Sequence, residues 1–371
     1  MPHATAAPVI VRADLEIARP YLLFVGDAPG RLDAKTALGL LDWRREWCAG
    51  QLRFPGCPVD LGLPELSPAE AARRGVRTLV VGVAPVGGRM SDAWEQAFLG
   101  ALEAGLDVAA GLHDRLNGRP RLVAAAARRG RTLHDIRQPP AGLVLPVGSG
   151  ARRPGRRLLT VGTDCAIGKK YTALALEREM RTRGWQADFR ATGQTGVLIS
   201  GGGLALDAVV ADFVAGAAEL LAPANSPDHW DLIEGQGSLY HPGYAGVSLG
   251  LLHGAQPHAI VLCHDPRRTH IDGYPDFPLP ALAACIGRNL ELARLTSPEV
   301  CCVGVSLNTG GMSAAERAAA RRAAEAECSV PCVDPLADGT GPIVDFIAAQ
   351  LGAPPAVGGA PTAAARGPRP A

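Results

Sequence analysis

Short apolar runs recur along the chain, separated by stretches with helical periodicity, and this alternation sets the fold class before any motif is considered. In residues 21–136 the runs YLLFVGD, RTLVVGVAP and LDVAAGL flank helical patterns over Ala34–Cys48 and Ser91–Ala104. A second series follows the same rule: LLTV from Leu158, then ADFRA, WDLIEG, AIVLCH, VCCVGVSL and VPCVD. Continuous apolar strands of this kind are buried on both faces, as in a parallel sheet covered by helices. Ser313 and Glu316 have the spacing of a capping box and open a helix over 313–326, and a last helix starts near Pro342 and stops by Gly352. The expected architecture is α/β: a smaller Rossmann-like domain over 20–136, then a P-loop NTPase-like parallel-sheet domain over 158–352. Between them residues 137–157, rich in Pro, Gly and Arg, read as a linker or crossing segment. Residues 353–371 are Ala, Pro and Gly without periodicity, and a disordered tail is expected there.

The most informative stretch is LLTVGTDCAIGKKYT, residues 158–172, where an apolar strand enters a glycine-bounded loop ending in Gly-Lys at a helix start. Backbone N–H groups, a helix N-terminus and an ammonium converge there, which makes a phosphate cradle. Gly162 and Gly168 enclose five residues rather than the four of the common P-loop. The longer form is similar to the GTD…GK loop of dethiobiotin synthetase. Ala173, Leu176 and Met180 then mark one helix face, closed by Gly184. After Lys169 comes Lys170, where a nucleotide triphosphatase places the Ser or Thr that holds Mg²⁺. Thr172 replaces that hydroxyl only if the helix begins later than its pattern indicates. Two lysines favour a pyrophosphate-bearing cofactor such as coenzyme A, with no metal required. The expected phosphate-binding set is Gly162, Gly168, Lys169 and Lys170, with Thr163 and Asp164 completing the loop and Cys165, Tyr171 and Thr172 adjoining it.

Composition narrows the class without choosing a reaction. The 371 residues are 47% hydrophobic and 20% charged with net charge +1, which disfavours broad attraction to nucleic acid or membranes. No signal-peptide pattern and no membrane-length apolar run is present, so a cytoplasmic enzyme is expected, with a homo-oligomer compatible. Nine cysteines read as reduced thiols, Cys263, Cys301 and Cys302 in strands, and Cys328 with Cys332 lacks the partners of a zinc set. Cys165 sits among conditions that lower a thiol pKa, but with no histidine beside it in sequence a packing role is favoured over reactivity.

At Trp230–Ser238, WDLIEGQGS, a strand ends in Glu234 and two glycines. Strand carboxyl ends gather at the ligand crevice of an open parallel sheet, so Glu234 is expected to face the loop. It is the first candidate for a general base, against the alternative of a structural ion pair with Lys169 or Lys170.

Several ordered motifs then carry a family resemblance: GTDCAIGKKYTA, GQTG at 193–196, DFVAGAAE at 212–219, EGQGSLYHPGY at 234–244, SLNTGGMS at 306–313, and AKTALGLL at 34–41 with GVAPVGGRMSDAW at 82–94. Together they resemble the P-loop family typified by D-glutamate N-acetyltransferase, over roughly residues 20–350. The resemblance implies acetyl transfer from acetyl-CoA to the amino group of a D-amino acid, with phosphates on the P-loop. Glu234 is then the first choice of base, Asp212 the second and His241 an alternative proton carrier. An acidic acceptor needs cationic anchors, for which Arg267, Arg268 and His270 are candidates, with Arg190 and Gln194 second. In the first domain, Asp27, Gly30 and Lys35, and the turn with Gly82, Gly87 and Gly88, either meet the cofactor's adenosine, line the acceptor pocket across a domain cleft, or serve structure alone. Two rivals stay open at this level: an ATP- and Mg-dependent ligase or carboxylase like dethiobiotin synthetase, and a non-catalytic nucleotide sensor.

Overall fold

The computed structural model describes residues 17–84, 88–139 and 143–353. Gly87 and nearly all of the expected tail lie outside the described residues. The first sheet contains β1 (Tyr21–Gly26), β2 (Cys48–Arg53), β3 (Thr78–Val81), β4 (Asp107–Ala110) and β5 (Leu133–Asp135), all parallel, in the order β2-β1-β3-β4-β5. Its crossovers are α1 (Lys35–Trp43), α2 (Pro68–Arg73), α3 (Asp92–Glu103) and α4 (Pro120–Arg129). The chain leaves β1 toward β2 and then resumes at β3 on the other side, so the crevice of this doubly wound order opens beyond the carboxyl ends of β1 and β3. The helix expected to run to Cys48 stops at Trp43, a 3-10 turn follows, and β2 begins at Cys48. CAGQLR lacks the alternation or β-branching that marks a strand, and its pairing is supplied by β1.

The second sheet comprises β6 (Arg156–Gly162), β7 (Ala187–Arg190), β8 (Trp230–Ile233), β9 (Ala259–His264), β12 (Cys301–Leu307) and β13 (Cys332–Val333), again all parallel. A small antiparallel hairpin, β10 (His270–Ile271) with β11 (Tyr274–Pro278), stands beyond β9. The sheet order is β13-β12-β9-β6-β8-β7, so the two phosphate-loop neighbours of β6 are β8 and β9. Helices α5 (Lys169–Thr182), α6 (Gln194–Ser200), α7 (Val214–Leu221), α8 (Ala245–Ala255), α9 (Leu282–Ala293), α10 (Ala314–Cys328) and α11 (Gly341–Leu351) connect the strands and close the chain. All six strands expected in this half are present, and the Ser313–Glu316 capping box forms in full.

Segment 143–155 has no regular element and crosses the outside of α7, where Gly216 meets the Pro146 backbone and Glu219 accepts hydrogen bonds from the Ser149 and Gly150 amides at 2.9 Å. The two sheets share apolar packing, because Ala173, Leu174, Phe189, Ala191 and Val197–Ile199 of the second half join the core of the first. Burial on this scale, at roughly 25 cal/mol per Å² of apolar surface, fixes α1 against α6. No helix among the described residues is long and apolar enough to cross a membrane.

Candidate active site at the phosphate loop

The loop Gly162–Gly168 leaves the carboxyl end of β6, and α5 starts at Lys169. Gly168 has φ +109°, a conformation closed to side chains, and Ala166 is also left-handed at φ +52°. Among the described residues the amides of Ala166, Ile167 and Gly168 donate to no protein acceptor, the condition for an anion cradle. Lys169 is 7% exposed and its Nζ donates to the Asp164 carbonyl at 2.6 Å, so two of its three donors remain for a ligand. Burial lowers its pKa. Its stem has room because Gly235 follows Glu234: a Cβ there would strike the Thr160 carbonyl and stand 2.9 Å from Lys169 Cδ.

The residues between the glycines build the loop rather than offer free side chains. Thr163 Oγ1 pairs with His264 Nδ1 at 3.0 Å, and its carbonyl accepts from Ser238 Oγ at 3.1 Å. Asp164 is fully buried; its Oδ1 accepts from the Cys165 amide at 2.6 Å, and its Oδ2 accepts from Arg268 Nη1 at 2.5 Å and from the Asp272 amide at 2.9 Å. Arg268 also donates to the Cys165 carbonyl at 2.9 Å. The guanidinium therefore clamps the hairpin onto the loop. Replacing Arg268 by methionine should leave a buried carboxylate without its cation and destabilise the protein by about 3 kcal/mol, read as a lowered urea midpoint. Burial pushes the Cys165 thiol up, outweighing Lys169, Lys35 and Arg268, which corrects the expectation of thiol-lowering conditions.

On the β8 side stands Glu234, 5% exposed. Its Oε2 accepts from the Thr192 and Gly193 amides at 3.0 and 3.1 Å, while Oε1 has no hydrogen-bond partner among the described residues. Burial raises its pKa; Lys170 and the two amides oppose that shift without cancelling it. No cation comes within ion-pair distance of it among the described residues, so the structural ion pair with either lysine does not form. Lys170 does not share the loop with Lys169: its Nζ lies 2.9 Å from where a Cβ on Gly39 of α1 would stand. Burial lowers its pKa, against the pull of Glu234.

Other expected residues are placed elsewhere. Tyr171 turns to the first domain, its hydroxyl donating to Asp42 Oδ2 at 2.5 Å and its ring edge-on to Trp43. The Thr172 hydroxyl donates to the Gly168 carbonyl and meets Ser306 Oγ at 2.7 Å one turn into α5, so the helix does not start late and the hydroxyl is already engaged. Arg190 is paired with buried Asp231 at 2.7 Å, and Arg267 with Asp265 at 2.6 Å and the Gly310 carbonyl. Both cations are thereby neutralised and leave no fork for a substrate carboxylate. His270 is exposed and pairs with its neighbour Thr269. Asp212 is exposed in the turn before α7, and the structure does not join it to the loop residues.

His241 is buried on the β9 side, stacked on Tyr244 at 4.4 Å and edge-on to Tyr274. Its Nδ1 accepts from the Gly243 amide at 3.0 Å, which leaves the proton on Nε2 in the neutral ring, and burial lowers its pKa. Asp164, Cys165 and His241 place donor atoms within 4.8 Å of one another, yet Arg268 already occupies the Asp164 carboxylate, so a cation meets a guanidinium there. This proximity was not visible in the sequence, where Cys165 and His241 are far apart. Gln194, expected in the acceptor pocket, starts α6 at 8% exposure against Gly111 at the end of β4.

Comparison with known proteins bears on this arrangement. A P-loop domain model described as a domain of unknown function, DUF1611, matches residues 146–344, and its Rossmann-like N-terminal companion matches residues 53–139. A D-glutamate N-acetyltransferase of Tritonibacter scottomollicae is 49% identical over 90% of this chain and 99% of its own. One from a Pseudoalteromonas species is 47% identical over 91% of this chain and 100% of its own. The crystal structure of a DUF1611 protein from Anabaena variabilis superposes with a TM-score of 0.81 at 33% identity, covering 90% of this chain and all of that one. The phosphate loop on β6, its Rossmann-like partner and this depth of identity along the whole fold make the chain a member of the DUF1611 family.

Proposed function

We propose that the protein is an N-acetyltransferase that moves the acetyl group of acetyl-CoA to the amino group of D-glutamate or a closely similar acidic D-amino acid. The observation that carries this reading is the free Oε1 of Glu234 beside a phosphate loop whose Gly-Lys is followed by lysine instead of a Mg²⁺-binding hydroxyl. It is supported by the two relatives that bear this activity in their names. The donor supplies an activated thioester. The loop amides and Lys169 fit its phosphates, since they are donors without protein acceptors to satisfy them. Glu234 takes a proton from the acceptor's ammonium through Oε1, while the Thr192 and Gly193 amides hold Oε2 and keep the carboxylate oriented. The amine then bonds to the acetyl carbon, the carbon–sulfur bond breaks with its electron pair going to sulfur, and the departing thiolate takes up the proton that the nitrogen sheds as the amide forms.

The ATP-dependent alternative requires an oxygen donor set for Mg²⁺ beside the loop. Thr172 is engaged with Gly168 and Ser306, and Asp164 with Arg268, so neither is free for that task. The test is incubation of the purified protein with acetyl-CoA or Mg·ATP and a panel of D- and L-amino acids. Thiol release that depends on an amino acid and is unchanged by EDTA is the expected result. Formation of ADP would overturn the proposal in favour of a ligase.

A further inference from the structure

We infer that the N-terminal domain completes the acceptor site: Lys35 of α1, together with Lys170 of α5, holds the side-chain carboxylate of the acidic amino acid at the seam between the two sheets. The inference rests on the acetyltransfer reading above and adds to it the residue that selects an acidic acceptor.

The seam is built from a continuous line of contacts. Lys170 Nζ lies against Gly39, and Lys35 begins the same helix one turn earlier, on the same face. Thr36 Oγ1 meets Thr195 Oγ1 at 3.0 Å, and a Cβ on Gly39 would stand 2.7 Å from Thr195 Cγ2. The next residue, Gly196, lies directly on Glu234 Oε2. Lys35, Lys170, Thr195 and the proposed base therefore occupy one stretch of the domain boundary.

The charges along this line are incomplete. Among the described residues neither ammonium has a carboxylate within the 4.0 Å of an ion pair, and Lys35 is exposed. Glu234 and Asp42 favour the charge of Lys170 from beyond ion-pair distance, Lys35 opposes it, and burial lowers its pKa against the two carboxylates. Two like charges so placed are stabilised by an anion between them. At the same boundary Gln194 is more than nine-tenths buried, and its Oε1 has no hydrogen-bond partner among the described residues. An acidic amino acid carries what is missing: carboxylates for the ammonium groups, and an ammonium for Glu234 Oε1. The arginines first considered as anchors are spent on Asp265, Asp164 and Asp231.

The experiment compares Lys35→Gln and Lys35→Arg with the wild type, using D-glutamate and its uncharged amide D-glutamine as acceptors and titrating acetyl-CoA alone by calorimetry. Lys35→Gln should raise KM for D-glutamate about 30-fold, the loss of one charge-assisted contact, while kcat and the Kd of acetyl-CoA stay within about twofold. Its preference for D-glutamate over D-glutamine should collapse by a similar factor, and Lys35→Arg should restore most of it. An unchanged preference overturns the inference. So does weakened acetyl-CoA binding with the preference intact, which would assign Lys35 to the cofactor's phosphates. A wild type that acetylates no amino acid overturns the acetyltransfer reading and this assignment with it, whereas an active wild type with an unaltered variant overturns the assignment alone.

Discussion

Lys169→Met is expected to weaken acetyl-CoA binding by about 100-fold or more while making the unliganded protein no less stable. The ammonium has two donors left after its bond to the Asp164 carbonyl, and charge-assisted hydrogen bonds to phosphate contribute about 1.5–3 kcal/mol each. Two of them account for the loss. The stability half follows from the direction of the pKa shift. Burial lowers the folded-state pKa of Lys169 below its unfolded value, so the folded state binds fewer protons than the unfolded one as pH falls through that interval. The lysine's contribution is thus present above its unfolded pKa and lost as pH falls through the folded one. Burying the charge costs the fold something that methionine, with a stem of similar length, does not, and this offsets the one hydrogen bond to the Asp164 carbonyl that the substitution removes. Calorimetric titration with acetyl-CoA and thermal melts at pH 7, with and without ligand, check both halves. Wild type should gain melting temperature on adding ligand and the variant should not. A variant that binds normally would move the phosphate site away from this loop.

What was legible in the chain depended on how local its cause was. The central strands of the second half were readable because they are apolar runs buried on both faces, and the phosphate loop because strand, glycines and lysine are contiguous; the edge strand β7 instead alternates buried and half-buried residues. The capping box of α10 needs only Ser313 and Glu316 and forms as read. Side-chain roles were less legible because their partners arrive from elsewhere in the chain. Tyr171 reads as a loop residue until Asp42 of the other domain takes its hydroxyl. Arg190 and Arg267 read as free forks until Asp231 and Asp265 neutralise them. Adjacent Lys169 and Lys170 look equivalent, but at the start of a helix successive side chains point about 100° apart. One therefore enters the loop and the other the seam. β2 was missed for a related reason: its strand character comes from pairing with β1 and not from its own pattern.

Glu234→Gln is expected to lower kcat by about 100- to 1000-fold, within the range for a general base, with acetyl-CoA affinity near that of wild type. Glutamine keeps one carbonyl oxygen for the Thr192 and Gly193 amides, so the local backbone has no cause to move, and only the free basic oxygen is replaced by an amide NH₂. The pH profile supplies a second readout. A base acts when deprotonated, and burial raises the Glu234 pKa above that of an ordinary glutamate. The wild-type rate should therefore climb with pH through a limb displaced toward neutrality, and that limb should vanish from the variant's residual rate. Stability moves in the opposite sense. With its folded pKa above the unfolded value of about 4.3, Glu234 favours the fold fully below that lower value and loses its contribution as pH rises through the higher one. Glutamine removes this dependence, so the melting temperature of the variant relative to wild type should be higher at pH 8 than at pH 5. Unchanged turnover would remove Glu234 from the chemistry, whereas lost turnover without the pH-dependent gain in stability would point to a misplaced loop instead of a missing base.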